Sequence, residues 1–227
     1  MCTPEYMSEY AKRFYENGVR VIGGCCGTTP AHIKQIADAV RPIDKSERPA
    51  PVIRVKPKEH KRPEGLKPVP LAERSKIGKK IANKEPITCI ELMPPKGADM
   101  SKLIEKIKMC ADNGIDAINI PDGPRASSRL SPIVTAIKVQ QVAEIEAIVH
   151  VCCRDRNIIS MQSDMLGMQA MNLKNVLLIT GDPPKLGEYP DATAVFDLDS
   201  VALTSVVADL NHGLDIAGNQ LPEPLSL

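Results

Sequence analysis

The segment from Ile87 to Asn211 alternates short apolar runs with longer amphipathic ones. Strands are predicted at 87–92, 115–120, 147–151 and from Val176 onward, and helices at 100–112, 131–142, 158–171 and 199–211. Four successive strand–helix units of about 35 residues are typical of a parallel α/β barrel or a doubly wound sheet. No G-x-G-x-x-G follows the first strand, where ELMPPKG stands, and this disfavours a dinucleotide fold. We therefore predict an α/β fold of the (β/α)8 barrel type, present as a partial barrel of about four units.

The residues that follow the predicted strand from Val176 to Ile179 are the most informative about a possible site. Its four consecutive aliphatic residues predict a strand buried on both faces. Gly181 follows and has no side chain to hold a flat ligand away from the backbone, while the two prolines at 183–184 stiffen the turn that carries Asp182. An acid at the end of a buried strand indicates either a ligand site or a capping residue in a strand-to-helix loop.

Polar residues follow each of the four predicted strands. They are Glu91, the run 119–122, His150 with Cys152, and the run 180–182. Functional groups of a parallel barrel gather at the carboxyl ends of its strands. We therefore expect these four groups to converge on one mouth and form a site.

Composition narrows the class of protein. Aromatic residues are 3% of the chain and Trp is absent, so the interior must be aliphatic, and the net charge of +1 indicates no particular partner. Seven cysteines, an odd number, suit a reducing compartment better than a disulfide scaffold. No apolar run approaches the roughly 20 residues of a membrane span, and no signal peptide is evident, so we expect a cytoplasmic protein with no membrane association.

The amino-terminal residues predict a helix at 4–16, a strand at 19–22 and a helix opened by Pro30. Cys25 and Cys26 lie between glycines at the end of that strand. A vicinal cysteine pair is either two small buried residues or a pair of metal ligands, and the flanking glycines would let both sulfurs face one point. His32, in the first turn of the next helix, is expected to be an exposed polar residue.

The string VIGGCCGTTPAHI at 21–33 resembles the last strand and loop of the zinc-dependent homocysteine S-methyltransferases. The resemblance implies that Cys25 and Cys26 are two of three thiolate ligands of a zinc ion that activates the thiol of homocysteine. The third cysteine of that family lies upstream of the residues that match here, and Cys2 is not a candidate because it should lie at the opposite end of the barrel. Methyl transfer by this chain alone is therefore not expected.

Residues 42–86 predict a proline-rich, basic linker with a lead-in helix at 71–85. Seven prolines lie between Pro42 and Pro70. Between Arg54 and Lys80 the sequence has ten Lys or Arg residues but only three Glu residues. Such a stretch buries little apolar surface. Binding of nucleic acid is disfavoured, because no stacking aromatics accompany the charges.

The strand ends IELMPPKG, INIPDGPRA, VHVCCRDRN and LLITGDPPKLGEYPDAT resemble those of the methylenetetrahydrofolate reductases. The whole chain is similar to bacterial fusions of a homocysteine methyltransferase barrel with a reductase barrel. Residues 1–41 would be the end of the first barrel, 42–86 the linker and 87–227 the first half of the second. The resemblance implies FAD, NAD(P)H as the hydride donor, and reduction of methylenetetrahydrofolate to methyltetrahydrofolate in methionine biosynthesis.

The resemblance also implies roles for individual residues. Glu91 matches the general acid that protonates the folate, and its neighbours Ile90, Leu92 and Met93 are expected to supply an apolar setting for a carboxyl that holds a proton. Asp182 matches the acid beside the flavin and the pterin. The remaining matches are flavin contacts: Pro121, Asp122, Pro124, His150, Thr180, Gly181 and, by a loose alignment, Phe196.

Several of these positions depart from the pattern of the family. Pro121 and Asp122 stand where the family often has Thr and Tyr, and Thr180 stands where it often has Arg. Phe196, apart from the resemblance, is expected to be a core residue.

The residues after 213 should begin a fifth strand, so about half of a barrel is expected to be missing. A four-stranded sheet that should close exposes two edges and an inner face. We therefore expect weak FAD binding and self-association as a homo-oligomer. The alternative function is a non-catalytic module whose basic linker binds a partner.

Overall fold

The computed structural model describes residues 3–25, 27–43 and 66–227. The chain divides into two compact units, Met1–Lys61 and Arg62–Leu227. Cys26 and most of the predicted basic linker lie outside the described residues. None of the helices in these ranges is long and apolar enough to cross a membrane.

The first unit contains two helices, α1 at Pro4–Glu16 and α2 at Pro30–Val40, as the sequence predicts. The Thr3 hydroxyl accepts the N–H of Tyr6 and so begins α1. The predicted strand at 19–22 is wrong, since these residues are not in a strand and Val21 is 92% exposed. A strand is stabilised by pairing with a neighbour, and the described part of this unit offers none.

The second unit begins with α3 at Leu71–Arg74 and α4 at Lys76–Ala82. The sequence predicts one helix here, but the chain breaks at Ser75, whose φ is −156°. The Ser75 hydroxyl accepts the N–H of Gly78 at 2.8 Å, so that Ser75 caps α4 rather than continuing α3.

A four-stranded parallel sheet follows, in the order β1-β2-β3-β4. The strands are Cys89–Glu91, Ala117–Ile120, Glu146–Cys152 and Asn175–Ile179. Each strand is followed by one α-helix: α5 at Ser101–Asp112, α6 at Pro132–Val142, α7 at Ile158–Ala170 and α8 at Ser200–Asn211. Short 3-10 turns lie at Pro124–Ala126 and Pro184–Leu186. Consecutive parallel strands joined by helices are the arrangement of a partial barrel, so the predicted fold class is confirmed.

The core lies between the sheet and the helices. Its fully buried members include Ile107 of α5, Ile118 and Ile120 of β2, Val149 of β3, and Met161, Met165 and Met168 of α7. The expectation that β4 is buried on both faces is wrong, because Leu177 is 44% exposed. Its neighbours Val176 and Leu178 pack against the core, and the alternation of a strand directs Leu177 to the opposite face.

Helices α3 and α4 lie at the amino ends of the strands. The Glu146 carboxylate accepts the N–H groups of Lys76 at 2.7 Å and Ile77 at 2.9 Å. Lys80 donates to Asp116 at 2.5 Å, and Thr88 N–H donates to the other carboxylate oxygen of Asp116 at 2.9 Å. These contacts fix one end of the sheet and leave its carboxyl end for the candidate site.

Candidate active site

Glu91, Asn119 and His150 lie on one face of the sheet. Glu91 pairs in register with Asn119, which pairs with Ile148, and His150 is two residues further along β3. Residues two apart on a strand share a face. His150 Nε2 lies 3.1 Å from Asn119 Oδ1, which links the second strand to the third at this face.

Burial of the His150 side chain favours its neutral form. Only 8% of the residue is exposed, and burial lowers the pKa of the imidazole below its usual 6.5, an effect that the nearby carboxylates of Glu91 and Asp122 partly offset. A neutral imidazole offers one donor and one acceptor nitrogen. His150 is therefore suited to hydrogen bonding with a polar ligand.

Glu91 ends β1 and is exposed. The apolar setting predicted for it is only partly present, because Ile90 and Leu92 adjoin it in an extended chain and so point to the other face, where Leu92 packs against the core. Glu91 instead lines an open cavity of about 290 Å³ together with Met93. Lys102 and Lys106 of α5 also line this cavity.

The carboxylate of Asp122 ties the end of β2 to the end of β3. Asp122 is 6% exposed, and its Oδ2 accepts the N–H of Cys152 at 3.0 Å and the guanidinium of Arg156 at 2.5 Å. Arg156 also contacts Asp164 of α7 at 3.1 Å. The predicted flavin contact of Asp122 stays a prediction, and the carboxylate itself is engaged within the protein.

Arg154 is the functional candidate that the sequence reasoning missed. It is 3% exposed, and it bonds Asp155 through two nitrogens at 2.7 and 2.6 Å. It also donates to the carbonyl oxygens of Gly123 at 3.1 Å and Asp182 at 3.3 Å. The signal in the sequence was a charged residue two positions after the strand β3, and a charged side chain is rarely buried unless it is paired.

Gly181 approaches β3 so closely that no side chain fits. Its φ is +97°, and an added Cβ would lie 2.2 Å from Cys152 Sγ. This glycine is therefore required by packing, whatever it also does for a ligand. A cavity of about 280 Å³ opens beside it, lined by Asp122, Gly123, Pro124, Cys152, Arg154, Ile179, Gly181 and Asp182.

The other predicted flavin contacts lie near these strand ends but have structural partners. The Thr180 hydroxyl accepts the N–H of Ser200 at 3.0 Å, which helps to begin α8. Phe196 has a φ of +46° and packs partly buried against the core, as expected of a core residue. Pro121 is buried, and Pro124 lines the cavity beside Gly181. Their contacts with a flavin stay predictions.

In the first unit Cys25 is exposed. His32 is buried, not exposed as expected, because Thr29 N–H donates to its Nδ1 at 3.1 Å at the start of α2. The described ranges contain no group of three or more His, Cys, Asp or Glu side chains able to hold a metal ion. The zinc assignment of Cys25 and Cys26 therefore stays a prediction.

Parallel strand–helix units with polar residues gathered at the carboxyl ends of the strands define an enzyme of the barrel class. The family model of methylenetetrahydrofolate reductase matches residues 76–213, and the chain belongs to this family. The family model of homocysteine S-methyltransferase matches residues 1–40. The two matches are consistent with a fusion of the two enzymes, and they indicate one-carbon and methionine metabolism.

Curated relatives match short parts of the chain. Methionine synthase of Mycobacterium tuberculosis is 48% identical over 46 residues, which are 20% of this chain and 4% of the relative. The S-methylmethionine–homocysteine S-methyltransferases BHMT2 of Pongo abelii and Rattus norvegicus are each 50% identical over 36 residues, 16% of this chain and 10% of each relative. The chain thus spans a small fraction of the length of these relatives.

Proposed function

We propose that this chain is part of an FAD-dependent methylenetetrahydrofolate reductase fused to a zinc-dependent homocysteine S-methyltransferase. The reductase would use NAD(P)H to convert methylenetetrahydrofolate to methyltetrahydrofolate in the cytoplasm. The observation that carries the proposal is the shared face of Glu91, Asn119 and His150 next to the strand end that bears Asp182. Members of this family place a flavin and a folate at such a mouth.

The residues around the cavity beside Gly181 fit a flavin in their chemistry. A flavin needs a flat surface and a few fixed polar groups. Gly181 and the exposed Asp182 line this cavity. His150 lies two residues before the cavity-lining Cys152 on β3, and burial lowers the pKa of its ring. These residues, with Thr180, would hold FAD, which supplies the hydride transfer when it is bound.

Glu91 would deliver the proton in this reaction. Its carboxyl stands exposed on the open face of β1, where a folate can reach it, and within the described residues it makes no hydrogen bond that would engage it elsewhere. An acid must lie within hydrogen-bond reach of the atom that it protonates. The placement of Glu91 beside Asn119, on the face that also carries His150, supports this role.

The methyltransferase half of the proposal rests on the match at residues 1–40. Cys25 and Cys26 would hold zinc in the presence of a third ligand, and that zinc would bind the thiol of homocysteine. The described residues do not complete such a site. A homo-oligomer is expected because the open sheet face and sheet edges favour association.

The test is Glu91→Gln in the protein encoded by the whole reading frame that contains this chain. Folate reduction should fall by about a hundredfold or more, the usual contribution of a general acid, while NAD(P)H still bleaches the flavin absorbance. Glu105→Gln is the matched control, because Glu105 is an exposed acid on α5. Normal folate turnover in Glu91→Gln would refute the general-acid role, and a protein that takes up no flavin would refute the proposed reductase.

A further inference from the structure

We propose that Arg154 is a positioning residue that clamps three strand-end loops together and so sets where Asp182 stands in the candidate flavin cavity. The inference rests on the proposed function for the identity of the ligand. The clamp itself follows from contacts between residues of the second unit.

The guanidinium of Arg154 joins loops that leave three different strands. It donates to Gly123 O in the loop after β2, to Asp155 in its own loop after β3, and to Asp182 O in the loop after β4. The backbone of Arg154 adds a fourth tie, since its carbonyl accepts the N–H of Val195 at 2.8 Å. One side chain therefore links all three loops.

This charge can stay buried only because its donors are satisfied. Arg154 is 3% exposed, and a buried guanidinium without partners is strongly destabilising. The planar fork of arginine reaches a carboxylate and two carbonyls at once, which a lysine ammonium on its flexible stem does not. Within the described residues, Arg154 is also the one cationic side chain that lines the cavity beside Gly181.

The neighbouring loops are shaped around this side chain. A Cβ added at Gly123 would lie 2.7 Å from Arg154 Nη2, and one added at Gly181 would lie 3.2 Å from Arg154 Cβ. Both glycines have positive φ, +48° and +97°, a conformation that other residues adopt at a cost. The loops after β2 and β4 thus each place a glycine with positive φ where the chain contacts the Arg154 side chain.

The clamp acts on Asp182 through its backbone. Arg154 binds the carbonyl of Asp182 at 3.3 Å, and the Asp182 residue is exposed. The side chain therefore remains available at the mouth while its main chain is held. Loss of the clamp should let the β4 loop move and Asp182 with it, so flavin binding should weaken without loss of the sheet.

The experiment compares Arg154→Met and Arg154→Lys with the unmodified chain, and with Arg74→Met as the matched control. Arg74 also donates to two backbone carbonyls, of Val69 at 2.8 Å and Leu227 at 3.0 Å, but it belongs to α3 at the other end of the sheet. Hydrogen exchange is measured at the amides of Leu186, Gly187 and Val195, which are hydrogen-bonded in the strand-end loops. FAD is then titrated into the same variants of the protein encoded by the whole reading frame that contains this chain, and its fluorescence quenching is followed.

Both Arg154 variants should speed exchange at these loop amides by about tenfold or more and weaken FAD binding by a similar factor. Arg74→Met should change neither. Unchanged exchange in Arg154→Met, unchanged FAD affinity despite faster exchange, or full rescue by lysine would each overturn the proposal. Loss of the cooperative melt in both variants would also overturn it, because Arg154 would then be required by the whole fold. If no protein binds FAD, the proposed flavin function fails, and the exchange data alone decide the clamp.

Discussion

Replacement of Gly181 by alanine tests how closely the loop after β4 packs against β3. The added Cβ would lie 2.2 Å from Cys152 Sγ and 3.2 Å from Arg154 Cβ. Both distances are shorter than an ordinary carbon contact, so the loop or its neighbours must shift. The φ of +97° adds backbone strain, because an L side chain rarely adopts that conformation.

The two costs can be assigned separate magnitudes. A left-handed backbone costs a non-glycine residue about 1–2 kcal/mol, and overpacking of a filled site costs about 1–3 kcal/mol. Gly181→Ala should therefore destabilise the chain by about 2–5 kcal/mol in total. In a Cys152→Ala background the sulfur is gone, so that mainly the backbone cost of about 1–2 kcal/mol should remain.

The assay is urea unfolding of the parent chain, the two single variants and the double variant, followed by circular dichroism. The double-mutant cycle should give a coupling energy of about 1–3 kcal/mol in favour of the double variant. Additive free energies would refute the contact between Gly181 and Cys152. A loss below about 1 kcal/mol for Gly181→Ala alone would refute the strained backbone as well.

Three further predictions concern stability, burial and pH. Because burial lowers the pKa of His150 below its usual 6.5, the unfolded chain binds this proton more tightly. The free energy of unfolding should therefore fall as the pH drops below about 6.5. His150→Gln should remove that part of the pH dependence, measured by urea unfolding at several pH values. An unchanged pH dependence would contradict the burial of His150. Met165→Ala should lower the free energy of unfolding by about 2–5 kcal/mol in the same assay, because Met165 is fully buried. A loss within about 0.5 kcal/mol, which is typical of surface substitutions, would contradict the place of Met165 in this core. Iodoacetamide should label the exposed Cys89 in the native chain and reach the buried Cys152 only after unfolding. Burial raises the pKa of both thiols, so the order is expected from their exposure, and equal labelling rates by mass spectrometry would contradict it.

The sequence predicted the elements whose stabilising signals are local. The helix at 4–16 was found with its observed bounds, since a Thr cap, a Pro at the first position and Asn17-Gly18 mark its ends. All four sheet helices were placed to within one residue at each end, and the helix from Pro132 is opened by the Ser131 cap as expected. Apolar runs located all four strands, although only β2 and β3 are mostly buried.

The features that the sequence did not predict depend on contacts distant along the chain. The engagement of Asp122 with Arg156 joins residues that are 34 positions apart, and no local pattern shows that pairing. The strand at 19–22 failed for a similar reason, because an apolar run becomes a strand only where another strand pairs with it. His32 is a local exception, because its hydrogen-bond partner Thr29 lies three residues before it, and the sequence predicted only an exposed side chain.

The acidic residues of the sheet fall into two groups according to what they bond, and this division separates scaffold from site. Asp116 and Glu146, at the amino ends of their strands, accept hydrogen bonds from α4 or from the residue before β1. Asp122 is buried against Arg156.

Glu91 and Asp182 lie at the carboxyl ends of the outer strands, and both residues are exposed. Within the part of the chain that the structure describes, neither carboxylate takes part in a hydrogen bond. Paired acids contribute stability, whereas an acid held at a rigid rim without a partner is available to a ligand. Glu91→Gln and Asp182→Asn should therefore leave the urea midpoint nearly unchanged, whereas Asp116→Asn and Asp122→Asn should lower it. A large loss of stability in either of the first two variants would place that acid in the scaffold.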